Sequence, residues 1–466
     1  MMTCFRYRRL LAALNLNGVP TPRYPLRPCG FSAATSSQRS HRRCYARGTE
    51  SSITEVEKIL LDTIKATGPI TYASYMLMCL SHPTAGYYMN SSNSVLGSQG
   101  DFITSPEISQ VFGEVLGVWL LYQSMYAGAS RPLRLVELGP GRGTLMHDVL
   151  RVLSQFPVAR SAVKEIHLVE TSQPMRAAQE AKLGPITQKN GWRLSWHDSV
   201  DGVRPDSDKF TLVVAHEFFD ALPFHLLQKT GQGWQEVLIA SGPDPAAGRT
   251  LKPDWSPSLD VSTLRPLANT APRFRQVLTP TPTPTSTLLG LSSPRFLKLP
   301  VGSRIEVSPA AFKIARQIGE LLHDRASDGS RSAGSALIVD YGGNKVYGNS
   351  FRAFKNHKIV DVFHRPGECD LTVNVDFSYL AEAAADLATS HGPISQADFL
   401  QRMGLEARVN ALKVSAKDEE RRKQIENAAN RLVDRTGMGT QYQVMALAGK
   451  RRAELADEEK WPFIDA

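Results

Sequence analysis

Ten residues, Leu135-Val136-Glu137-Leu138-Gly139-Pro140-Gly141-Arg142-Gly143-Thr144, hold a pattern that can do chemistry. Glycines at alternate positions let a backbone turn sharply at the carboxyl end of a strand, where open α/β sheets bind ligands. A dinucleotide-binding turn places its third glycine three residues after the second, so that a helix start faces pyrophosphate. Here Gly143 follows Gly141 by two, and Glu137 lies inside the strand end. A carboxylate is a poor neighbour for phosphate and a good one for a cation. S-adenosyl-L-methionine carries a sulfonium, an ammonium and a carboxylate, and no phosphate. The pattern therefore predicts that ligand, bound through Glu137, Gly139, Gly141 and Gly143.

Further acids recur at the ends of apolar runs. Glu170 closes Ile166 to Glu170, and a carboxylate there can accept both hydroxyls of a ribose. Asp198 follows a third candidate strand, placed either to face an adenine amino group or to serve as a turn residue. Thr211 to Ala215 runs straight into His216-Glu217-Phe218-Phe219-Asp220. The three-residue spacing of Glu217 and Asp220 puts both on one face if a helical turn begins there.

These residues need a framework. The runs Leu133 to Leu138, Ile166 to Glu170, Thr211 to Ala215 and Ala336 to Asp340 alternate with helix-period stretches. That alternation predicts an α/β fold, a parallel sheet with helices on both faces. Residues 46–130 read as a helical N-terminal lid, with helices over Ile53 to Ile64, Thr71 to Leu80 and Pro106 to about Tyr126. Asp101 stands in that lid where it could close over the cofactor. Residues 131–240 read as the first part of the core. Residues 241–300 are rich in Pro and Thr and read as a surface insert, neither sheet interior nor helix. Residues 301–466 resume the core, with a helix from Pro309, a loop-rich stretch from Asn344 to Asp376, helices at Phe377 to Ala388 and Ser395 to Met403, and a closing strand at Gln441 to Leu447.

Charge is distributed unevenly. The chain has 54 basic and 45 acidic residues, a formal net charge of +9. Nine arginines and no acids precede Glu50, so the remainder holds 45 of each sign and is neutral. The basic balance belongs to the tail and does not predict nucleic-acid binding. An arginine-rich, acid-free amphipathic start is the pattern of a mitochondrial transit peptide, here residues 1–45, with cleavage expected after Tyr45. No apolar run is long enough to span a membrane. Of Cys4, Cys29, Cys44, Cys79 and Cys369, two survive that cleavage. They fit a reducing compartment and no structural metal.

Several stretches carry a resemblance. Gly100 to Gln110, Leu135 to Thr144, Ala215 to Asp220, Ile338 to Gly342, Phe351-Arg352, His357-Lys358 and Pro366 to Thr372 match the MidA-type family closely, in its order and over nearly the whole mature chain. The resemblance implies a class I methyltransferase sheet (Rossmann-like) of seven strands, the last antiparallel. It also implies a matrix protein arginine methyltransferase that assists complex I assembly, symmetrically dimethylating an arginine of the 49-kDa-type core subunit. The transit peptide and the Pro/Thr-rich insert depart from the family pattern.

An arginine nucleophile is a cation approaching a cation, and it stays protonated near neutral pH. Its site must offset that charge with carboxylates. Glu217 is the first choice for this grip, Asp220 the second, and His216 a further catalytic candidate. A binding-only assembly factor and an RNA or small-molecule methyltransferase are the alternative classes. The intact glycine turn with Glu170, Glu217 and Asp220 argues against the former, and the neutral mature chain against an RNA substrate.

Overall fold

The computed structural model describes residues 53–90, 103–125, 131–242, 273–324, 332–451 and 456–464. Its central sheet grows from β1, Leu133–Leu138, a strand of six buried residues. A strand this apolar needs cover on both faces. The sheet adds β2 (Val163–Val169), β3 (Arg193–His197), β4 (Phe210–His216), β5 (Gly334–Gly343), β6 (Ala388–Ser395) and β7 (Tyr442–Gly449). Their order is β6-β7-β5-β4-β1-β2-β3. β7 is antiparallel to both its neighbours, while β1 to β5 pair in parallel. The expected seven-stranded class I order is present, and the two-residue strand Val375–Asp376, parallel to β5, makes an eighth.

Side chains alternate across a strand, so each strand feeds two cores. Leu135, Leu212, Val214 and Leu337 pack on one side, with helices Gln110–Met125 and Thr144–Gln155. Val136, Val213, Ala215 and Ile338 pack on the other, with helices Pro309–Leu322 and Phe377–Ala384. Gln110–Met125, grouped by sequence with the lid, is a core helix, buried from Val111 to Gln123. It is separated from a single turn, Ser105–Ile108, by Ser109 in extended conformation.

A second sheet stands beside the first. The hairpin His225–Thr230 and Gly233–Ser241 is extended by Arg304–Val307 on one side, and by Ile70–Thr71 and Phe274–Leu278 on the other. Helices Glu55–Thr67 and Tyr72–Ser81, capped by Thr54 and Thr71, pack Val56, Leu60, Tyr75 and Met76 against it.

Two sequence expectations are corrected here. In the stretch expected to lack regular structure, residues 273–300 hold the strand Phe274–Leu278 and the helices Pro284–Gly290 and Pro294–Leu297. The prolines start those helices, because an N1 proline lacks an N–H that no helix partner would have used. Thr283 and Ser286 close a capping box around the first. The loop-rich stretch holds a small sheet of Arg352–Lys355, Lys358–Val360 and Asp370–Thr372. Asp101 and the expected transit peptide lie outside the described residues.

Candidate active site

The carboxyl ends of β1 to β5 open onto one cavity of about 580 Å³. The glycine turn, Glu170, Asp198, His216, Glu217 and Asp220 all line it. Gly139, Gly141 and Gly143 have φ of 63°, 50° and 75°, the left-handed region where side chains are strained. A Cβ on Gly139 would also meet the Phe218 ring at 2.9 Å. Gln179 Nε2 donates to Gly141 O (2.7 Å) and Glu170 Oε2 (3.3 Å), tying the turn to the end of β2. Glu170 Oε1 accepts the Ser172 amide at 2.8 Å. Glu137 is buried with Oε2 unpartnered, and burial pushes its carboxyl up to about 8.

Asp198 sits on the cavity rim, 83% exposed and paired with Arg176. Arg176 also donates to the Glu170 carbonyl, so both strand ends share one guanidinium.

β4 ends in a turn, with no helix after it. The expected helical spacing of Glu217 and Asp220 is thus corrected: a φ of 48° at Glu217 reverses the chain instead. Asp340, near the carboxyl end of β5, accepts the amides of Phe218, Phe219 and Asp220 on Oδ2 at 3.2, 2.9 and 3.3 Å. The Tyr341↔Tyr442 register of β5 and β7 brings two phenols together. Their hydroxyls are 2.6 Å apart, and Tyr442 donates to Glu217 Oε1 at 2.6 Å. Burial raises Glu217 to about 8, partly offset by that hydrogen bond. Asp220 is buried; Thr372 donates to its Oδ2 at 2.7 Å, and Oδ1 has no partner. Burial also raises Asp220, while Thr372 and Arg352 oppose the shift. His216 is buried against Phe112 and Tyr442, its Nε2 unpartnered, and burial lowers it to about 3. The ring is therefore neutral near pH 7, with its Nε2 3.7 Å from Glu217 Oε1.

Sequence reasoning gave no role to Asp340, Tyr341, Tyr442, Thr372 or Asp370, whose carboxylate accepts the Tyr88 hydroxyl at 2.8 Å. Asp340-Tyr341 did carry a signal, a polar pair closing an apolar strand. Tyr442 carried none, because only the antiparallel pairing of β7 delivers it.

Residues 115–394 match the model of a family of S-adenosyl-L-methionine-dependent methyltransferases. The chain belongs to that family. It is 38% identical to the mitochondrial protein arginine methyltransferase NDUFAF7 of Danio rerio, over 90% of this chain and 92% of the relative. The Homo sapiens protein of the same name is 35% identical over 87% of this chain and 86% of its own length. A Burkholderia thailandensis protein solved with S-adenosyl-homocysteine bound shares the fold, with a TM-score of 0.64, 23% identity, and 88% and 94% coverage. This methyltransferase carries a donor set that fits its cofactor. The orphaned Glu137 carboxyl and Glu170 face the cavity beside the left-handed glycines. Among the described residues, no helix is long and apolar enough to cross a membrane.

Proposed function

We propose that this methyltransferase methylates a protein arginine in mitochondria, with Glu217 and Asp220 gripping the guanidinium. The observation that carries this reading is the pair of buried carboxyls at the end of β4, Asp220 with an oxygen unpartnered, in the same cavity as the glycine turn. A water-poor, acidic pocket suits a planar cation that makes bidentate hydrogen bonds.

When bound, S-adenosyl-L-methionine supplies a methyl carbon activated by a sulfonium. Glu137 and the glycine turn would hold its amino-acid end, Glu170 its ribose, and Asp198 the edge of its adenine. Glu217 and Asp220 align the guanidinium nitrogen in line with that carbon, and alignment is most of the catalysis. Burial favours their protonated forms in the empty site; an incoming guanidinium favours the ionised forms, whose charge then opposes the clash of two cations. As the nitrogen gains a methyl group it releases a proton, and the Glu217 carboxylate is placed to accept it. Tyr442, donating to Oε1, fixes which Glu217 oxygen is free for substrate.

The finer reading follows the relatives' names and the family resemblance. The substrate is an arginine of the 49-kDa-type core subunit of complex I, dimethylated symmetrically in the matrix, in support of complex assembly. The test offers methyl-labelled cofactor with mitochondrial protein and, separately, mitochondrial RNA. Label on arginine of a complex I subunit is expected. Label on RNA alone, or cofactor binding without transfer, would refute the reading.

A further inference from the structure

We infer that Asp340 is a positioning residue: it holds Glu217 and Asp220 in register for the substrate guanidinium without touching substrate itself. The inference rests on the reading of Glu217 as the guanidinium grip. Three successive amides, those of Phe218, Phe219 and Asp220, converge on one oxygen of Asp340, and the Tyr341 amide donates to the other at 2.9 Å. The side chain is fully buried within β5, behind the Glu217 and Asp220 side chains that line the cavity. It acts across a strand boundary, since its partners begin two residues after the end of β4.

The turn needs such an anchor. Glu217 adopts a left-handed φ of 48°, an arrangement an unbranched acid keeps only when its surroundings impose it. No helix follows to fix the next residues, and turn amides hidden from water must find acceptors. A single carboxylate satisfies three of them and so sets the directions in which the side chains at 217 and 220 leave the backbone. The chain then continues into contacts that lock the far side: Val373 donates its amide to the Asp220 carbonyl, and Thr372 its hydroxyl to the Asp220 carboxylate. Removing Asp340 would free the 217–220 turn between two fixed points. The glycine turn and Glu170, held by Gln179, would stay in place.

The test compares wild type, Asp340→Asn, Glu217→Gln and the double variant, with methyl-labelled cofactor and protein extract from mitochondria lacking this chain. Asparagine keeps size but has one acceptor oxygen where Asp340 uses both of its own. Asp340→Asn should bind S-adenosyl-L-methionine within about threefold of wild type while turnover falls on the order of 100-fold, the usual result of a reacting group misplaced by an ångström. The double variant should be little slower than the slower single one, since both changes disable one device. Wild-type amides 218–220 should resist hydrogen exchange with neither cofactor nor substrate present. Additive losses, cofactor affinity falling in step with turnover, an unfolded Asp340→Asn protein, or freely exchanging wild-type amides would each overturn the inference. If Glu217→Gln alone leaves turnover unchanged, the assignment of Glu217 falls and takes this inference with it. A slow Glu217→Gln beside an unimpaired Asp340→Asn removes the inference alone.

Discussion

Two carboxyls in this site, Glu137 and Glu217, share an unusual state: burial pushes each up to about 8. Unfolded glutamate titrates near 4.3, so between about pH 4 and 8 the folded chain holds protons that the unfolded chain has lost. Their contribution to stability is full below the unfolded value and is lost as pH rises through 8. The ligand-free protein should therefore melt at a lower temperature at about pH 9 than at about pH 6, and Glu137→Gln should flatten that slope. Melting curves across this range check the sign. A bound cation reverses the preference, so cofactor affinity should rise with pH over the same window. The glycine turn gives a second residue-scale expectation. At Gly141, where φ is 50°, valine would be strained and would crowd the closest backbone approach. Gly141→Val should remain folded yet show no cofactor binding by calorimetry, and normal binding would remove the turn from the site.

At the scale of elements, the parallel core was legible because fully buried strands write themselves as apolar runs, as in Leu133–Leu138 and Phe210–His216. The second sheet was not legible. Its strands, such as His225–Thr230, carry polar residues on their outer side, and Ile70–Thr71 is too short to show a period. Glu217 and Asp220 were read as candidates from their place at a strand end. Asp340 escaped because its role depends on β4 and β5 being neighbours. The buried Glu114 also lay unread within an apolar helix. It takes Arg408 on one oxygen at 2.6 Å and Arg151 on the other at 2.8 Å, joining Gln110–Met125 to Thr144–Gln155 and Leu405–Val414. Removing one partner of a buried ion network strands the others. Glu114→Ala should therefore lose about 3–5 kcal/mol in denaturant unfolding. A loss under about 1 kcal/mol would mean that water reaches the two arginines.

Over the whole molecule, charge and targeting separate from chemistry. The nine arginines before Glu50 account for the entire net charge, so import into isolated mitochondria should yield a nearly neutral mature chain starting near Ala46. An uncleaved product would contradict the transit-peptide reading. The cavity is lined by two sets of residues, the glycine turn with Glu170, and Glu217 with Asp220. The division of labour between those sets is the central claim, and the single-turnover rate of Glu217→Gln at saturating S-adenosyl-L-methionine tests it most directly. Glutamine keeps the size and the hydrogen bond from Tyr442 while removing the charge. Loss of a charge-assisted contact in a water-poor site costs about 2–4 kcal/mol, or roughly 30- to 1,000-fold in rate. Methyl transfer to protein should slow by that factor with cofactor affinity nearly unchanged. Transfer at the wild-type rate would contradict the account.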